Sequence, residues 1–110
     1  MYIKKKEALV IQEYSKAMEK MMQKKLEETD CKKDAVQIAL YATRKVANTV
    51  KEITANKNNA TLEHLRKINA AYALLSIVEE STSEPCTQKR KKLITEYMKL
   101  IGKVFREKQH

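Results

Sequence analysis

Apolar residues early in the chain recur at Ile3, Val10, Ile11, Tyr14, Ala17, Met18, Met21, Met22 and Leu26, the spacing of one helical face. This predicts a first helix over 4–28. From Val36 the pattern tightens to Val36, Ala39, Thr43, Val46, Val50 and Ile53, a strict alternation of three and four that marks a narrow packing seam. A second helix over 33–56 follows, capped by Asp30 or a neighbour. Asn56, Asn58 and Asn59 break the period, and Thr61 caps a third helix over 61–80, with Leu62, Leu65, Ile68, Ala71, Tyr72, Leu75 and Val78 on its apolar face. As the most apolar of the set, it is expected to be the most buried. Ser81, Thr82 and Ser83 close it, and Pro85 opens a fourth helix over 85–108 through Leu93, Ile94, Tyr97, Leu100, Ile101, Val104 and Phe105.

With one Gly and one Pro in 110 residues there is little material for tight hairpins, so the chain is expected to be a single all-α domain over 1–110. Short connections favour antiparallel neighbours. The expected architecture is therefore an antiparallel four-helix bundle, although a splayed array completed by a partner would carry the same pattern. Four of the five methionines fall in the first segment, where they serve as adaptable core filler. The apolar run from Ala70 to Val78 is interrupted by Ser76 and is far shorter than a membrane span of ~20 residues. Lys4, Lys5 and Lys6 precede only Ala8 to Ile11, too little for a signal peptide, and a cytoplasmic setting is expected.

Charge changes the picture most. The net charge of +9 divides into +1 for Met1–Asp30, +4 for Cys31–Ala60, −1 for Thr61–Ser83 and +5 for Glu84–His110. Such an excess points to an anionic partner, nucleic acid before membrane or acidic protein. In the fourth helix Lys89, Lys92, Lys99, Lys103 and Arg106 form one stripe, interrupted by Glu96 and opposite Tyr97, Leu100 and Val104. Antiparallel topology also returns Lys24 and Lys25, Lys32 and Lys33, and Lys89, Arg90, Lys91 and Lys92 to one end of the bundle. Two of these clusters open helices, where unpaired N–H groups add to the attraction for anions. With 19 Lys against 4 Arg, the pattern suits loose contact with phosphates better than bidentate readout of bases. Tyr14, Tyr72 and Tyr97 are expected on core faces. Tyr41 either stacks on a base beside Arg44 and Lys45 or closes the edge of the core.

Catalytic chemistry finds no support in the residues. Cys31 and Cys86 stand alone, His64 and His110 have no metal-ligand spacing to them, and Gly102 as sole glycine rules out a glycine-rich phosphate loop. Glu63 with His64, and Glu79 with Glu80, are adjacent and point in different directions on a helix. No enzyme activity, cofactor or metal is expected. The antiparallel arrangement does place Cys31 and Cys86 at the same end, where a disulfide would be worth about 4 kcal/mol; two free thiols are the simpler expectation in a reducing compartment.

In size, helix content and basic faces, with Lys45, Lys89, Lys92, Lys99 and Lys103 as the residues concerned, the chain resembles the small helical subunits of CRISPR RNA-guided effector complexes. That resemblance implies a non-catalytic subunit of a ribonucleoprotein, present in several copies, that cradles RNA or single-stranded DNA without reading its sequence. A basic helical-bundle protein of the bacteriocin-immunity type, acting by protein or membrane-surface contact, is the alternative. A helix-turn-helix regulator fits less well, because the helix after the Asn-rich turn is too apolar to lie in a groove.

Overall fold

The computed structural model describes residues 1–27, 33–81 and 88–106; the side chains of 33, 81 and 88–90 lie outside the described set. Four helices follow one another: α1 (Lys5–Leu26), α2 (Lys33–Ala55), α3 (Leu62–Ser81) and α4 (Gln88–Ile101), the last continuing directly into a π-helical turn, Gly102–Arg106. α2 and α3 lie within a residue of the expected bounds, and the expected ends at 28, 85 and 108 lie outside the described residues. The cap at Asp30, Pro85 and the Cys31–Cys86 pair fall outside the described residues.

Pairings between helices establish the topology. Gln12 donates to the Ala47 carbonyl at 3.2 Å and Arg44 faces Glu19 at 3.9 Å, so α1 and α2 run in opposite directions. Thr95 donates to Glu79 while Arg106 lies over the Tyr72 ring, so α3 and α4 also run in opposite directions. Glu52 near the end of α2 takes Lys67 at 3.2 Å and His64 at 3.6 Å near the start of α3, so the short turn between them reverses the chain. The result is an up-down-up-down bundle with a 43 Å long axis. Contacts are most extensive for α1 with α2 and α2 with α3, while α4 packs more lightly on α3 and α1. Thus α2 and α4 occupy opposite corners.

The seam of α2 is buried as its spacing requires: Val36, Ala39, Thr43, Val46, Val50 and Ile53 are all fully inaccessible. Flanking Leu40, Ala42, Ala47 and Thr49 are buried too, because a helix lies on either side. The two buried threonines satisfy their hydroxyls within the helix, Thr43 donating to the Ala39 carbonyl and Thr49 to that of Lys45, each at 2.7 Å. α2, not α3, is therefore the most buried helix. α3 has the higher apolar content, but its flank toward α4 is lightly covered, and it leaves Leu62 and Ile77 exposed and Tyr72 half-buried. Two further positions assigned to the core, Val10 and Ala17, are also exposed. The buried stripe of α1 is narrower than its apolar pattern, running through Ala8, Ile11, Ser15, Met18 and Met22.

Thr61 caps α3 as expected, and the cap is reciprocal. The His64 N–H donates to Thr61 Oγ1 at 3.2 Å, and the Thr61 N–H donates to His64 Nδ1 at 3.1 Å, so the imidazole takes the place that Glu or Gln holds in a capping box. The turn before it is built on left-handed residues, Lys57 at φ 54° and Asn58 at φ 62°. The Asn58 N–H returns to the Ile53 carbonyl at 2.9 Å, the helix-ending bond of a Schellman motif with Lys57 where glycine is usual. The chain start crosses this turn: Ile3 N–H donates to Asn58 O, Ala60 N–H to Met1 O, and Asn58 Nδ2 to Ile3 O. These bonds tie together the start of α1 and the α2–α3 connection.

α4 is held to α1 by a polar contact inside the core. Ser15 and Tyr97, both buried, share a hydroxyl–hydroxyl bond of 2.6 Å, and Tyr14 stacks on Tyr97 with ring centroids 5.5 Å apart and planes 8° from parallel. Ser15→Ala leaves the Tyr97 hydroxyl buried without its partner and should lower unfolding stability by about 1–3 kcal/mol. Adding Tyr97→Phe should recover much of that loss; a urea-denaturation double-mutant cycle measures it, and simple additivity would contradict the pairing.

Burial raises the Tyr97 hydroxyl pKa well above its ordinary 10.0, the Ser15 bond opposes that shift, and the Glu19 carboxylate adds to it. Because the folded state then keeps a proton that the unfolded state loses, Tyr97 contributes stability below pH 10 that falls as pH rises above it. The urea midpoint of wild type should therefore drop more steeply in this alkaline range than that of Tyr97→Phe.

Candidate nucleic-acid interface

The basic face of α4 follows from what its other face buries. Ile94, Tyr97, Met98, Ile101, Val104 and Phe105 are buried against the bundle, so the opposite positions must face solvent. Lys92, Lys99, Lys103 and Arg106 are all exposed there. At 1.5 Å per residue they extend over roughly 20 Å. Within the stripe Lys99 lies 4.0 Å from Glu96, a solvent-exposed pair of little strength. Lys91 is also exposed, and the neighbouring Thr95 hydroxyl donates to Glu79 of α3. At the far end the Arg106 guanidinium lies over the Tyr72 ring, 4.5 Å from its centroid, beside a polar groove of about 360 Å³ lined by Asn69, Ala73 and Ser76. The ring contact holds Arg106 in place without neutralising it.

The basic end expected from the antiparallel order is partly within the described residues. Lys24 is exposed and Lys25 half-buried in the last turn of α1, at the end where α4 begins with Lys91 and Lys92 nearby in sequence. Lys33, Lys89 and Arg90 belong to the first turns of α2 and α4, but their side chains, like all of Lys32, Cys31 and Cys86, are outside the described set.

Arg44 and Lys45 are exposed on α2, and Tyr41 is 58 % exposed one turn before them. That ring does not close the core edge. Since α2 is diagonal to α4, these three residues do not join the α4 stripe: the bundle separates two groups that the linear pattern treats together.

The fold also forms a second basic end, which the helical pattern alone does not mark. The exposed Lys4, Lys5 and Lys6 open α1 where Lys51 and Lys57 close α2 and Lys103 and Arg106 close α4. Lys5 and Lys51 flank an apolar-floored groove of about 280 Å³ formed with Ala8, Leu9, Gln12 and Thr54. Antiparallel order gathers this cluster as it gathers the one at the other end.

Among the described residues no three His, Cys, Asp or Glu side chains come together to hold a metal ion. No described helix is long and apolar enough to cross a membrane. Compared with protein-family models, curated proteins and solved structures, the chain matches none of them. Lys92, Lys99 and Lys103 are exposed, so replacing the three together with Glu should leave helicity intact and shift stability by no more than about 1 kcal/mol. Far-ultraviolet circular dichroism and thermal melting check this, and loss of the folded state would contradict the placement.

Proposed function

We propose that the protein is a non-catalytic subunit that binds a nucleic-acid backbone, RNA or single-stranded DNA, without reading its sequence. The observation that carries this reading is the α4 stripe, the exposed Lys92, Lys99 and Lys103 with Arg106 set beside its end on Tyr72, running from one basic end of the bundle to the other. A row of ammonium groups on flexible stems suits a repeating phosphate charge and demands little geometric precision. Arg106 on Tyr72 supplies the one anchored guanidinium in the row. The resemblance to small subunits of CRISPR effector complexes supplies a setting, a larger ribonucleoprotein in which such a face lies along a strand. Contact with a protein or a membrane surface is the second reading, favoured by the exposed Leu9 and Val10 beside Lys5 and Lys6.

Titration of single-stranded RNA, single-stranded DNA and duplex DNA of unrelated sequences across a salt series tests the proposal. Affinity should be indifferent to sequence and fall steeply with salt. Lys92→Glu, Lys99→Glu and Lys103→Glu combined should weaken binding at least tenfold and flatten the log–log salt slope by roughly 2 for a single strand. Strong preference for one duplex sequence, or unchanged affinity in the triple variant, would overturn the reading; binding to no nucleic acid would favour the second.

A further inference from the structure

The outer face of α2 carries a stripe that is complementary to itself. Asp34, Ile38, Tyr41 and Lys45 follow at intervals of four, three and four, which read the same in both directions. Eleven residues bring a helix back to nearly the same angle after three turns, so the four side chains share one line of about 16 Å. All four are exposed, Ile38 at 37 % and Tyr41 at 58 %. Neither Asp34 nor Lys45 has an ion-pair partner among the described residues, so an acid stands at one end, a base at the other, and two apolar side chains between them.

α3 widens this strip. Leu74 is half-buried beside it, Ile77 one turn further on is 57 % exposed, and Asp34, Gln37, Ile38, Tyr41 and Leu74 enclose an open groove of about 580 Å³. That is ample room for a large apolar side chain. Ile38 and Tyr41, with Ile77 beside them on α3, are thus presented to solvent next to two opposite charges.

We propose that a second copy of this chain docks there, with α2 packed antiparallel on α2 of the partner about a two-fold axis lying across the helices. A two-fold interface requires one patch to match itself, and the 4-3-4 order does so. Asp34 of each copy meets Lys45 of the other, Ile38 meets Tyr41, and a Tyr41 ring can enter the opposing groove. Three-and-four spacing is also the seam geometry of packed helices. The axis parallel to the helices is disfavoured, because it brings Asp34 towards Asp34 and Lys45 towards Lys45. This dimer leaves the α4 stripe of both copies outward, and it does not depend on what that stripe binds.

Sedimentation equilibrium of the full chain tests the proposal by charge exchange. Wild type should form dimers at micromolar to millimolar concentrations, and Tyr41→Glu should be monomeric with unchanged helicity. Asp34→Lys alone makes both ends of the stripe basic, and Lys45→Asp alone makes both acidic; each should weaken the dimer by about tenfold through two like-charge contacts. Mixed in equal amounts, the two single variants should associate with each other, and the double exchange Asp34→Lys with Lys45→Asp should dimerise like wild type. A monomeric wild type at all concentrations would overturn the proposal, as would loss of dimer in the double exchange equal to that in either single variant. So would a monomer in which Tyr41→Ala weakens oligonucleotide binding, since Tyr41 would then be a nucleic-acid contact.

Discussion

Three polar contacts fix the rotation of α4 about its own axis: Tyr14 donates to the Leu93 carbonyl and Thr95 to Glu79 nearer the surface, and the hydroxyl pair of Ser15 and Tyr97 at 2.6 Å lies in the core. Apolar packing alone tolerates small rotations, because several side chains can exchange places on a smooth surface. A hydroxyl buried in the core has a single acceptable partner, and the nearly parallel Tyr14 ring covers it on one side. Once Tyr97 points at Ser15, Phe105 and Val104 turn inward in the following π-helical turn, and Lys92, Lys99 and Lys103 turn outward. The direction of the basic stripe thus follows from contacts on the opposite side of the helix, the deepest of which carries no charge.

α2 organises the rest. Its fully buried seam lies between α1 and α3, and the antiparallel order places α4 at the opposite corner. The two exposed faces with chemical character, the acid-apolar-base line of α2 and the basic line of α4, therefore look away from each other. The two proposed partners, a second copy on one side and a polyanion on the other, would therefore not compete. Its excess positive charge, instead of being spread evenly, reaches both ends of the bundle and runs along α4.

Most of the fold was legible because helical spacing and core position coincide in α2, where every expected seam residue is inaccessible. Thr61 was legible as a cap for a similar reason, since a hydroxyl before an apolar-periodic run has one obvious use. Ser15 was not, because a serine in a helix reads as surface unless its partner, 82 positions away, is known. Val10 and Leu62 misled in the opposite sense: they fit an apolar face wider than the one that meets a neighbour. Periodicity gives the direction of a helix face but not its width, which depends on how many helices pack beside it, and this is also why α3 is less buried than its composition suggests. Charge was legible as a stripe within α4, whereas the relation between Tyr41, Arg44 and Lys45 and that stripe depended on which helices are diagonal. The basic end at Lys4, Lys5 and Lys6 was open to the same topological reasoning as the other end.

On the proposed function, a polyanion lies along the outer face of α4. Backbone and side-chain chemical shifts of the labelled protein, followed during titration with a single-stranded oligonucleotide of mixed sequence, test it residue by residue. Progressive changes are expected at Lys92, Lys99, Lys103 and Arg106 and none at Ile38 or Tyr41. Changes confined to the Tyr41–Lys45 segment with α4 silent would contradict it.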